Sequence, residues 1–139
     1  MTDYIFQESS NGLKFIGDFE SFYQNENDPW EQSALQNKGK TNGMANFYEI
    51  SRRKLLDLLA SNINTNDSIC ECGCGTGYAA KSLLMKFPNH EVSGCDISKT
   101  AIEKATQNFQ NIDFFQHDIL SDPLPQKYNV LILSNILWY

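Results

Sequence analysis

The sequence predicts an α/β domain, a parallel sheet with flanking helices, preceded by an N-terminal arm and a helix. Three observations carry this. Beyond residue 67, short apolar runs suited to strands alternate with stretches of helical period. Those runs are largely apolar, as expected of strands covered on both faces. A glycine-rich turn, Gly73-Cys74-Gly75-Thr76-Gly77, joins the first run to the first of these helices, the junction a βαβ unit needs.

Residues 1–45 have no clear period, with Tyr4, Phe6, Phe15, Phe19, Phe22, Tyr23 and Trp30 scattered among polar residues. So many aromatic rings are costly in water, so this arm is expected to pack on the domain. Asp28-Pro29 reads as a turn. From Asn46 a helix is expected, with Phe47, Ile50, Leu55, Leu58 and Leu59 as one stripe and Leu56 widening it. Ser68–Cys72 is the first strand and Tyr78–Phe87 a helix closed by Pro88. Glu91–Asp96 is the second strand. Ser98 caps a helix through about Phe109, with Ile102 and Ala105 inward and Lys99, Glu103 and Lys104 outward. Ile112–Gln116 and Tyr128–Leu133 are the third and fourth strands. The arm or lid is assigned to residues 1–45 and the sheet domain to residues 46–139.

Composition narrows the function. The 139 residues suffice for one domain with a real core. A formal charge of −6 argues against a partner held by phosphates, so no nucleic acid is expected. No apolar run is long enough to span a bilayer and the start lacks a secretory signal, so no membrane partner and a cytoplasmic location are expected. Cys70, Cys72, Cys74 and Cys95 lack zinc-ligand spacing and read as free, reduced thiols without a metal.

The chemistry-bearing signal is Glu71-Cys72-Gly73-Cys74-Gly75-Thr76-Gly77. Its glycines permit a tight turn and close approach of a ligand to a helix N-terminus. Asp96 ends the next strand and is followed by apolar Ile97. A carboxylate there can accept from both ribose hydroxyls of an adenosine cofactor, while its neighbour covers the adenine. Asp118, followed by Ile119, ends the third strand and is placed to accept from the adenine amine. A dinucleotide fingerprint would need glycine where Tyr78 stands, and a P-loop would need a Lys after its last glycine. Asp118 has a second reading as a cap, Trp30 as a core anchor and Arg52 as a solvated helix residue.

Glu71-x-Gly73-x-Gly75-x-Gly77 resembles motif I of the class I S-adenosylmethionine (SAM)-dependent methyltransferases. Gly94-Cys95-Asp96-Ile97-Ser98 and Gln116-His117-Asp118-Ile119 resemble the two motifs that follow, and Tyr128 to Leu137, with Ser134, the fourth-strand motif. Asp28-Pro29-Trp30 and Tyr48-Glu49-x-x-Arg52 further resemble the NodS-like small-molecule N-methyltransferases, which commonly have Glu where Asn135 stands. The resemblance implies a Rossmann-like, partial class I methyltransferase fold and SAM as cofactor. It places Gly73, Gly75 and Gly77 along the methionine moiety, with Glu71 orienting that loop. It places Asp96 on the ribose, Ile97 and Ile119 on either side of the adenine, and Asp118 on its amine. Trp30 and Arg52 would cap the cofactor, Arg52 through its carboxylate.

The implied reaction is methyl transfer to a small-molecule acceptor, on N or O, with Asn135, Trp138 and Tyr139 near the acceptor. No general base is identifiable. A SAM- or nucleotide-binding module without catalysis and a nicotinamide-dependent oxidoreductase remain as alternatives. A full domain of this family continues with three more strands, so the chain is expected to be a fragment or to self-associate through its fourth-strand edge.

Overall fold

A computed structural model describes residues 4–33 and 43–137, with the side chains of 43–46 left aside. An antiparallel hairpin, β1 (Phe6–Ser9) and β2 (Gly12–Phe15), opens the chain and is followed by α1 (Phe19–Asn25) and α2 (Gly43–Ala60). The sheet domain runs β3 (Ile69–Cys72), α3 (Tyr78–Lys86), β4 (Val92–Asp96), α4 (Lys99–Asn108), β5 (Asp113–Gln116) and β6 (Val130–Ile132). Its four strands are parallel in the order β5-β4-β3-β6. The chain steps from β3 to β4 to β5 in one direction, then places β6 on the other side of β3. That reversal opens a crevice at the carboxyl end of β3, where open α/β sheets bind their ligands.

The strand period of two sorts the core. On one face Ile69, Val92 and Ile132 pack with Ala80, Leu83, Phe87 and Leu59. On the other, Cys70, Cys72 and Cys95 pack under Phe115, Ile119, Leu124, Tyr128 and Ile136. Burial on both faces accounts for the apolar runs of β3 and β4. Ser98 caps α4 by accepting from the Ala101 amide at 3.1 Å.

The structure departs from the sequence reading at several points. The arm contains a hairpin and a helix, where no element was expected. Asn11-Gly12 was a readable hairpin signal, and Asp18, accepting from the Ser21 amide at 3.0 Å, was a readable cap for α1. The expected stripe of α2 divides in two. Leu55, Leu56 and Leu59 turn inward, whereas Phe47, Ile50 and Leu58 are exposed. At 100° per residue those three lie roughly a quarter-turn or more from the Tyr48-Arg52-Leu55-Leu59 row, which faces the sheet and the cavity. Lys104 does not point into solvent, because its ammonium donates to the carbonyls of Tyr23 and Glu26 at 2.5 and 2.9 Å. The fourth strand is shorter than expected and half-open: Leu131 and Leu133 are exposed, since among the described residues β6 pairs only with β3. No helix among the described residues is long and apolar enough to cross a membrane.

Candidate functional site

The strand-turn-helix junction at β3 builds the floor of the site. Gly73, Gly75 and Gly77 take positive φ of 75°, 53° and 87°, conformations that side chains resist. The turn is fastened to the neighbouring strand, since the amides of Gly73 and Cys74 both donate to the Cys95 carbonyl at 2.8 and 2.9 Å. Asp96, at the end of β4, closes this arrangement. Its Oδ2 accepts from the Gly75 amide at 2.9 Å and its Oδ1 from the Ser98 amide at 3.0 Å. Burial pushes the Asp96 carboxyl up, and those backbone donors hold it down. Each oxygen keeps further acceptor capacity, and the residue lines the cavity.

Glu71 lies buried on β3, and its Oε2 has no hydrogen-bond partner. Burial pushes its carboxyl up to about 8, against the pull of the Arg52 charge. Arg52 descends from α2 with its Nε buried and unpartnered. Burial lowers its pKa, opposed by the charges of Glu71, Asp28 and Glu49. A buried carboxyl and a half-buried guanidinium therefore face one cavity, each with a buried, unsatisfied atom. Such atoms are rare in folded proteins and costly to keep without a partner.

The N-terminal segment forms the opposite wall. Tyr23 of α1 is buried, and a Cβ built on Gly75 would stand 2.6 Å from its hydroxyl. Trp30 donates from Nε1 to that hydroxyl at 3.0 Å and meets Phe22 edge-on. Burial, then the Asp96 charge, raises the Tyr23 phenol well above its ordinary value. Glu20 fastens α1 to α4, accepting from Ser98 Oγ at 2.7 Å and from Thr100 Oγ1 and N at 2.5 and 3.2 Å. Those donors hold its carboxyl down at about 2.

These walls enclose a cavity of about 510 Å³. It brings together nine expected site residues: Trp30, Arg52, Glu71, Gly73, Asp96, Ile97, Asp118, Ile119 and Ser134. Gly75 and Gly77 do not line it. Tyr23 covers Gly75, while Gly77 packs toward Phe114, Phe109 and Ala105, so its freedom serves the contact between α3, α4 and β5. Asp118 lines the cavity but closes its own turn, with Oδ1 accepting from the Leu120 amide at 2.9 Å and Oδ2 from Ser121 Oγ at 2.6 Å. Ile97 is 48% exposed, an apolar side chain at the cavity mouth. Asn135 holds φ 61° and donates to Ser134 Oγ at 3.0 Å. Trp138 and Tyr139 lie outside the described residues. Sequence reasoning missed Tyr23 and the Phe15-Ile16-Gly17 and Phe19 wall, which line the same cavity. An aromatic residue in an aperiodic arm carries no local sign of what it covers.

Residues 69–139 match the family model of a methyltransferase domain, which covers half of the chain. The chain belongs to that family. It is 39% identical over 83 residues to a malonyl-[acyl-carrier protein] O-methyltransferase of Acetivibrio thermocellus, covering 58% of this chain and 29% of that protein. It is 38% identical over 77 residues to a tRNA1(Val) (adenine(37)-N6)-methyltransferase of Pedobacter heparinus, covering 52% and 33%. The chain spans about a third of the length of these curated relatives. In fold, this methyltransferase domain is similar to magnesium protoporphyrin IX methyltransferase of Synechocystis PCC 6803, solved with bound SAH. The TM-score is 0.62 at 21% identity, covering 86% of this chain and 56% of that one.

Proposed function

We propose that the cavity is a SAM site and that the chain is the cofactor-binding part of a methyltransferase acting on a small-molecule acceptor at N or O. The observation that carries this is the pair of buried, unsatisfied groups, Glu71 Oε2 and Arg52 Nε, beside Asp96 at the crevice of the sheet. They suit a ligand bearing an ammonium, a carboxylate and a ribose. Glu71 would meet the ammonium, directly or through the loop, Arg52 the carboxylate and Asp96 the ribose hydroxyls. Ile97 and Ile119 would flank the adenine. Asp118, with its turn already closed, retains acceptor capacity for the amine. Trp30 acts by holding Tyr23 over the loop, so residues 1–45 serve as a lid. Gly75 and Gly77 shape the loop rather than touch the ligand.

Bound SAM supplies a sulfonium-activated methyl group for direct displacement. The work left to this chain is alignment and exclusion of water, for which a half-enclosed, largely apolar cavity is suited. The acceptor follows from neither relative, since one is named for an acyl-carrier-protein substrate and the other for tRNA. The charge of −6 speaks against a nucleic-acid partner, and a cytoplasmic location is part of this reading. A second reading is a SAM-binding module without catalysis. The exposed Leu131 and Leu133 of the β6 edge would suit self-association.

Calorimetry with S-adenosylhomocysteine and NAD tests the binding class, and transfer of a labelled methyl group to small amines and hydroxy acids tests the reaction. Asp96→Ala should weaken S-adenosylhomocysteine binding by about 1.5–3 kcal/mol, the value of lost charge-assisted hydrogen bonds. Unchanged affinity, or preference for NAD, removes this assignment.

A further inference from the structure

Behind the cavity wall lies a constellation that methyl transfer does not use. Cys70 and Cys72 project from one face of β3, and Cys95, the register partner of Cys72, projects beside them from β4. Their three sulfurs lie within 4.8 Å of one another, and the residues are 0%, 2% and 0% exposed. The packing shell is Phe115, Ile119, Leu124, Tyr128 and Ile136, all uncharged. Among the described residues no carboxylate or imidazole completes the group. Cys74, though buried, stands apart, its Sγ 3.7 Å from the Gly75 carbonyl. The neighbouring thiols pull Cys72 down and push Cys70 and Cys95 up. His117 also acts on Cys72 through charge, with its Nε2 placed 3.0 Å from the Asp122 carbonyl.

The C-x-C-x-C spacing gave no reason to expect this group, because its third member comes from the neighbouring strand. Three convergent sulfurs select a thiophilic centre, and charge decides which. Zn(II) prefers a fourth ligand, and three thiolates would leave it with a net negative charge. Cu(I) would carry one more. An uncompensated charge inside an apolar shell is strongly disfavoured. A trivalent metalloid hydroxide meets both conditions, because it takes three sulfurs and ends neutral.

We propose that Cys70, Cys72 and Cys95 form a binding site for a trivalent metalloid of the arsenite type. Each of the three arsenic–oxygen bonds is exchanged for an arsenic–sulfur bond. The three thiol protons leave with the three hydroxides as water. Arsenic remains As(III), so no oxidant or reductant enters. With bonds to sulfur about as long as the roughly 2.3 Å of zinc thiolates, three sulfurs on one centre stand about 4 Å apart or less, so the cysteine side chains must draw together from a group that now spans up to 4.8 Å. Leu124 and Ile119 belong to a stretch between β5 and β6 that forms neither helix nor strand, so entry requires only local opening.

The test uses the full chain, reduced and freed of reductant, mixed in parallel with arsenite, Zn(II) and Cu(I) and weighed by native mass spectrometry. One arsenic per chain with loss of three protons is expected. The adduct should be at least tenfold weaker in Cys70→Ser, Cys72→Ser and Cys95→Ser, and retained in Cys74→Ser. Peptide mapping of the unmodified chain removes dependence on the variants' folding. Arsenite should slow alkylation of Cys70, Cys72 and Cys95 at least tenfold and leave the rate at Cys74 unchanged. No adduct, protection of Cys74, or tighter binding of Zn(II) or Cu(I) than of arsenite overturns the proposal.

Discussion

The two walls of the cavity are held by different physics. The floor, from β3 through β5, is positioned by backbone: parallel ladders, two amides on the Cys95 carbonyl, and Asp96 clamping the Gly75 and Ser98 amides. The roof, from the hairpin through Trp30, sits on a few long side chains. Glu20 and Lys104 tie α1 to α4, and Phe22 and Tyr23 supply the buried contact. The hairpin itself is largely exposed. A floor built from a ladder opens only with the domain, whereas a roof held by side chains opens at the cost of those bonds. A ligand-enclosing site needs both, one wall to hold geometry and one to admit the ligand.

The sharpest way to break this division is Gly75→Val, because Gly75 is where floor and roof touch. The residue has positive φ, and a Cβ there would collide with the Tyr23 hydroxyl. Backbone strain of about 1–3 kcal/mol is expected, together with release of α1 and loss of detectable S-adenosylhomocysteine binding. Calorimetry and denaturant unfolding measure the two effects. Normal binding by this variant would mean that roof and floor are independent.

Glu71→Gln probes the floor alone. With its carboxyl raised to about 8, the folded chain holds a proton that the unfolded chain releases above about 4.5. Stability contributed at this position therefore falls as pH rises through that window and is fully lost above about 8. The neutral variant should match the parent near pH 5 and exceed its stability by about 1–3 kcal/mol near pH 9. Thermal melts across pH check this, and parallel curves for the two proteins would assign the pH dependence elsewhere.

Glu20→Gln probes the roof and should have the smallest effect. The carboxyl, held down at about 2 by Ser98 and Thr100, contributes stability above its unfolded value near 4.5, and the contribution is lost as pH falls toward 2. Solvent screening limits its worth to about 0.5–1 kcal/mol. Hydrogen exchange should accelerate in α1 at neutral pH and leave β3 unchanged. Acceleration in both would show one cooperative unit.

The positions of Glu71, Asp96 and the glycine turn were legible because they follow from neighbours in the chain: a strand, a turn that needs positive φ, a helix start. The apolar runs and the 3.6-residue period fixed the sheet region for the same reason. What remained unreadable depended on distant partners. Which side of α2 turns inward was decided by where the sheet lies, so Tyr48 and Arg52 face the cavity while Phe47 and Ile50 face solvent. Tyr23 covers Gly75 only because Glu20 reaches α4. Cys95 joins Cys70 and Cys72 only because the register of β4 on β3 aligns it. Local periodicity and turn chemistry are properties of contiguous residues, so the sequence determined the βαβ frame and its glycine loop by itself. Closure of the cavity and convergence of the thiols are made by residues far apart in the chain, and packing alone chose among their pairings.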